Sequence, residues 1–216
     1  MIVNRSKCGH GKEGEKMSVL VFFIDKIAGA IVTLPLMLLF LFFADKKRFS
    51  KKWEWVVLFA VYMNAMLVVV GVPDFRYITF DPTINWIPFH DFSSSNKLGM
   101  VLNIVMFIPF GAFLPIYFKK FRKLVPAITA GFLMSLAIES LQLFTFRATD
   151  VDDLIMNTIG AAVGYGIAQL IFCKKYRLEK ANKDIKILVV MISISIVVVV
   201  FIHSRITELI WPVFLN

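Results

Sequence analysis

The sequence predicts an all-α fold, a polytopic membrane helix bundle of about six transmembrane helices. Three observations predict it. The apolar share is 58%, against roughly 45–50% for a soluble domain, so too little polar surface exists to cover a water-soluble core. Apolar runs recur at the roughly 17–25 residues that a bilayer's hydrocarbon interior requires. Basic residues gather in short runs between alternate apolar stretches, as the positive-inside rule expects. That distribution also accounts for the net charge of +9. No recognition motif accompanies the charge, so nucleic acid is not an expected partner.

Residues 1–18 are polar and mixed in charge, and they read as a disordered tail. Met17 is an alternative natural start. The transmembrane domain occupies 19–205. Its apolar runs are about Val19 or Ile27 to Ala44, Trp53–Val72, Leu98–Phe118, Leu124–Phe146, Val151–Phe172 and Ile185–Ile202. The first carries Asp25 and Lys26 near its start, a local pair or a snorkelling one. Its length and the absence of a small-residue cleavage site exclude a signal peptide. Ile206–Asn216, with Trp211 and Pro212, reads as an interfacial tail. Cys8 and Cys173 sit in no metal or disulfide spacing, and His10 beside Cys8 does not make a site on a polar tail.

Loop charge sets the topology. Asp45–Lys52, Lys119–Lys123 and Lys174–Lys183 are the basic connections. They alternate, so they share a face, and that face is expected to be cytoplasmic. Pro73–Lys97 and the tight turn Arg147–Asp150 are expected outside. The basic residues of the N-tail oppose this orientation, and a start at Met17 removes the conflict.

The informative residues are polar ones at membrane depth, where a carboxylate costs about 2.5–3.5 kcal/mol and needs a partner or a purpose. Asn103 lies in the third run, Glu139 and Gln142 in the fourth, and Asp153 and Asn157 in the fifth. At about 1.5 Å per residue, Asn103, Glu139 and Asn157 fall roughly 7–12 Å below the outer helix ends. Asp150, Asp153, Asn157, Gly160 and Gly164 recur at steps of three and four and form one stripe. Gly160 and Gly164 make a GxxxG pair suited to close helix packing. The fourth and fifth runs are joined by almost no loop, so Glu139 and Gln142 are expected to face Asp153 and Asn157. Arg147 is the expected counter-ion to Asp150 or Glu139. Asp152 points off the stripe and is expected to be solvated. A plainer reading makes Asn103, Gln142 and Asn157 interhelical glue, worth about 0.6 kcal/mol each, and Arg147 with Asp150 a turn cap.

These residues carry a resemblance. Asn85-Trp86-Ile87-Pro88-Phe89 is followed by Asn103 through Phe107-Ile108-Pro109-Phe110-Gly111, then Glu139-Ser140-Leu141-Gln142. Arg147 with Asp150, Asp152 and Asp153, and Asn157 with Gly160 and Gly164, complete the pattern. In order and spacing the segment 85–165 resembles the VanZ-like family of membrane proteins, with the helix pattern extending the likeness to 27–172. The resemblance implies a role in the cell envelope of Gram-positive bacteria and an association with teicoplanin resistance.

Three functions stay open on the residues. In the first, the chain binds an outer-leaflet amphiphile, a lipid-linked wall precursor or a lipoglycopeptide. Arg147 then holds an anionic head group bidentately, Glu139, Asp150 and Asp153 receive cationic groups, and Asn85, Phe89 and His90 lie in the covering loop. In the second it is an enzyme, with Glu139 and Asp153 catalytic as acid or base and a divalent metal on Asp150 and Asp153. No P-loop, HExxH or nucleophile elbow supports a standard chemistry. The third, a transporter, lacks an internal repeat. Of the histidines only His90 lies near the cluster; His10 and His203 do not.

Overall fold

The computed structural model describes Pro35, Leu38, Leu39, Phe42, Phe43 and residues 46–71, 73, 78–80, 83–90, 94–145, 149–172 and 185–203. The polar tail, most of the first apolar run, Arg147, Asp91, both cysteines, the basic run 174–183 and the 206–216 tail lie outside the described residues.

Among the described residues five α-helices have defined limits, in order α1 (Lys46–Val70), α2 (Ser94–Tyr117), α3 (Leu124–Gln142), α4 (Val151–Phe172) and α5 (Ile185–Val197). A 3-10 turn, Lys119–Arg122, joins α2 to α3, and a π-helical turn, Val198–His203, continues α5. Two short strands, β1 (Ile84–Asn85) and β2 (Thr149–Asp150), pair in parallel, Ile84 opposite Thr149 and Asn85 opposite Asp150. Among the described residues three stretches are long and apolar enough to cross a membrane: Lys97–Tyr117, Leu124–Gln142 and Val151–Ile171. Val57–Val70 and Leu188–Phe201 are shorter apolar helices. The chain is an all-α membrane bundle.

Two boundaries differ from the sequence reading. The basic run from Lys46 is the first turns of α1, not a loop, because Lys and Arg are good helix formers and nothing in the run stops a helix. The fourth run ends as helix at Gln142 and closes in a turn, with the Thr145 N–H donating to the Gln142 carbonyl at 2.9 Å.

Small residues set the packing of α2, α3 and α4. A Cβ on Gly160 would overlap the Ile104 carbonyl, one on Gly164 the Ile108 carbonyl, and one on Gly111 the Ala161 carbonyl. A Cβ on Gly131 would meet the Ala161 methyl. Ala161 of α4 is thus clasped between a glycine of α2 and a glycine of α3. Lipid supplies no hydrophobic drive between helices, so such close approach, and the dispersion it allows, holds them together. Gly160 and Gly164 both lie against the backbone of α2. Aromatic rings fill the space beside it. Phe59 of α1 stacks on Phe113 of α2 with centroids 3.9 Å apart, and Phe113 stacks on Tyr117 at 5.3 Å. Pro109 lies within α2. One turn before it the Met106 carbonyl accepts the Tyr62 hydroxyl at 2.7 Å, a cross-link from α1.

Candidate functional site

Polar side chains converge where α4 begins. Asp150 is the N-cap of α4: its Oδ1 accepts the Asp152 N–H at 2.9 Å, satisfying a first-turn donor that the helix leaves open. Its Oδ2 accepts the Asn85 amide at 3.3 Å. The Asp150 N–H in turn donates to Glu139 Oε2 at 3.4 Å, and the Thr149 hydroxyl donates to the Glu139 carbonyl at 3.3 Å. Asp150 thus ties the loop at Asn85 and the start of α4 together through its carboxylate, and the end of α3 through its N–H.

Glu139 is 4% exposed and Asn157 3%. Neither faces lipid. The Asn157 amide donates to the Ser135 hydroxyl at 3.0 Å, one turn of α3 from Glu139, while Asn157 Oδ1 is buried without a hydrogen-bond partner. Asn103 of α2 donates its amide to Asp153 Oδ1 at 2.5 Å. Three helices therefore contribute to one polar centre, with Asn103 paired to Asp153 and Asn157 to Ser135. Ser135 is a member that the sequence reading missed, although its i−4 relation to Glu139 marks it.

Gln142 does not face Asp153 and Asn157. Its amide donates to the Val70 carbonyl at 3.3 Å and so closes the C-terminus of α1. A step of three residues rotates a helical side chain about 60° from Glu139, enough to meet a different neighbour.

Asp152 corrects the sequence reading most. Expected to be solvated, it is 2% exposed, and both its oxygens accept the Phe89 N–H, at 2.8 and 3.1 Å. One residue step turns it about 100° from Asp153, away from α2 and under the loop. Only the position of that loop reveals the role. Phe89 has φ of +59°, a left-handed conformation that costs a non-glycine residue about 1–2 kcal/mol. It follows Pro88, whose ring presets a tight turn. The loop is held at three further points: the β1–β2 pair, the Thr149 N–H donating to the Thr83 carbonyl at 3.1 Å, and the Ile87 N–H donating to Asn85 Oδ1 at 3.4 Å.

These anchors display an apolar tip. Trp86 is 71% exposed and Ile87 61%, and Phe89 and His90 are exposed beside them. An exposed pair, Phe80 and Phe144, lies with ring centroids 5.8 Å apart. The site therefore joins a fixed hydrophobic tip to a buried carboxylate–amide centre. Such a pairing suits a molecule with one greasy part and one polar part.

For a metal the arrangement offers little. Among the described residues no group of three or more His, Cys, Asp or Glu side chains is placed to hold one. Asp150 uses its oxygens on Asp152 and Asn85, and Asp153 takes Asn103.

Fold and site together define a class, a multi-helix membrane protein whose carboxylate–amide centre is roofed by an anchored loop at one end of the bundle. The VanZ/LLP1 family model matches residues 59–172, which run from α1 through α4. Protein VanZ of Enterococcus faecium is 31% identical over 156 residues, covering 70% of this chain and 87% of that protein. The chain belongs to the VanZ-like family. No solved structure matches significantly. The family match leaves out α5, as the resemblance expects, and begins at 59 rather than 27.

Proposed function

We propose that this protein binds an amphiphile of the outer membrane leaflet, a lipoglycopeptide of the teicoplanin type or a lipid-linked cell-wall precursor, and thereby contributes to glycopeptide resistance. The observation that carries this reading is the loop Ile84–His90. A left-handed Phe89 and a buried Asp152 are used to hold a hydrophobic tip in one fixed pose. Strain of this kind persists where the surroundings over-determine it, and it clusters at binding sites. Trp86, Ile87 and Phe89 take the acyl part of the ligand. Glu139, Asp153 and Asn103 take its polar part, with Arg147 on an anionic group. Kinship with Protein VanZ of Enterococcus faecium supports the link to resistance.

The same reading has six membrane crossings, with the basic segments around Lys46, Lys119 and Lys174 cytoplasmic and the site extracytoplasmic. The test is direct. Full-length protein in nanodiscs is titrated with teicoplanin, beside Trp86→Ala and Ile87→Ser variants. Saturable binding that both variants weaken about tenfold or more is expected, since each removes a large apolar contact. Binding that ignores both substitutions overturns the assignment.

The enzymatic alternative, chemistry on a lipid-linked or phosphate-bearing substrate, rests on Glu139 as a buried carboxyl group followed in sequence by the Asp150/Asp153 pair. Mass analysis of lipid-linked precursors from cells with and without the protein distinguishes the two. Altered covalent structure supports the enzyme, and unchanged structure with altered drug binding supports the binder.

A further inference from the structure

From the Lys119–Lys123 end of the bundle a groove opens between α3 and α5 and runs along α3 as far as Ala137. It has a volume of about 460 Å³, within the roughly 300–1,000 Å³ of small-ligand sites. Ala130, Leu133 and Ala137 of α3 form one wall and Leu188 and Ile192 of α5 the other, with Phe121 beneath. The α3 lining runs from Val125 to Ala137, about 18 Å of helix at 1.5 Å per residue. Its positions recur at steps of three and four, so they form a continuous stripe. Two alanines in that stripe make the depression. The groove is long, narrow and almost wholly apolar, which is the shape of an extended acyl chain.

One end of it is charged. Lys120 lines the groove, and Lys119 and Lys123 are exposed on the same short turn, with Arg122 between them. The groove lining contains no acidic residue. A basic run of this kind ordinarily serves only to orient a chain in the membrane, and flexibility would not harm it. Here the turn is built. The Arg122 carbonyl accepts the Tyr165 hydroxyl at 2.9 Å and the Gln169 amide at 3.0 Å, both from α4. Phe121, 5% exposed, packs edge-on against Phe118 with centroids 5.8 Å apart. A turn bearing four basic residues is thus fixed at one end of an apolar slot, with Lys120 in its lining.

From this we infer that the α3–α5 groove binds one chain of an anionic glycerophospholipid, with the Lys119–Lys123 turn on its phosphate. This site is separate from the one at Asp150 and does not rest on the function proposed for that one. The chemistry follows from complementarity: apolar walls for the chain and a basic turn at one end for the phosphate.

The test places p-benzoylphenylalanine at position 133 in the full-length protein, in nanodiscs of equal parts phosphatidylglycerol and phosphatidylcholine. After illumination the adducts are identified by mass. Phosphatidylglycerol is expected to exceed phosphatidylcholine among them. Lys120→Gln is expected to reduce that preference about fivefold, the usual effect of one lysine near an anionic surface. Lys97→Gln, at the other end of α2, is expected to leave it unchanged. Ala130→Trp fills the slot and is expected to abolish the lipid adduct while thermal unfolding in detergent stays near that of the parent. An adduct to residues 19–44 of the same chain, or to a second copy, overturns the proposal. So does a lipid ratio equal to that of the disc and indifferent to Lys120→Gln.

Discussion

The main-chain N–H of Phe89 donates to both carboxylate oxygens of Asp152, at 2.8 and 3.1 Å, across 63 positions of sequence. A hydrogen bond to a charged group contributes about 1.5–3 kcal/mol. The left-handed conformation of Phe89 costs about 1–2 kcal/mol. The two magnitudes are close, so this bond roughly offsets the strain of the turn, and without it that strain works against the loop's other attachments.

Removing that anchor should therefore free the loop without unfolding the bundle. In Asp152→Ala, hydrogen-exchange protection of the Ile84–His90 amides is expected to fall about tenfold or more, the equivalent of roughly 1.4 kcal/mol. Asp153→Ala, whose partner is Asn103 on α2, should leave those amides as they are. Equal loosening in both variants would show that the loop is held by the cluster as a whole.

Phe89 separates conformation from contact. Glycine adopts positive φ without penalty, so Phe89→Gly should keep the loop protected in hydrogen exchange while losing ligand binding with the ring. Phe89→Val should do worse on both counts, because a β-branched residue is a true outlier at positive φ. If Phe89→Gly binds as well as the parent, the ring is not part of the site.

The polar centre has its own test. Glu139→Gln and Asp153→Asn keep shape and remove charge, and each is expected to abolish resistance while membrane levels on immunoblot stay near normal. Arg147→Ala is expected to behave in the same way. Loss of the protein itself in all three variants would make the cluster interhelical glue.

Glycine positions should divide sharply. Gly111→Ala, Gly160→Ala and Gly164→Ala each place a methyl on a neighbouring backbone carbonyl, and overpacking of this kind costs about 1–3 kcal/mol or more. Their thermal unfolding in detergent should move down by several degrees. Gly99→Ala and Gly166→Ala meet nothing within 4 Å and should leave it unchanged or slightly higher.

Much of this molecule is legible in one dimension. The start of α4 at Val151 coincides with that of the fifth apolar run, because Asp150, Asp152 and Asp153 punctuate it with acidic residues that favour a helix N-terminus. The burial of Glu139 and Asn157 follows from the cost of polarity in lipid, which leaves such groups nowhere to go except between helices. The start of α1 was harder to see. Charge predicts a loop over Asp45–Lys52, whereas helix propensity carries on through such residues.

The sequence by itself determined that the chain is a membrane bundle, which faces carry its small residues, and which polar groups need partners. Those are local quantities, set by hydropathy and by a period of 3.6. Only the tertiary structure decided who the partners are: Asp152 with Phe89, Gln142 with Val70, Asn157 with Ser135. A side chain's direction on its own helix is fixed by sequence, but what stands opposite depends on rotations and offsets between helices. These are set by where glycines such as Gly111 and Gly131 let two backbones touch at Ala161.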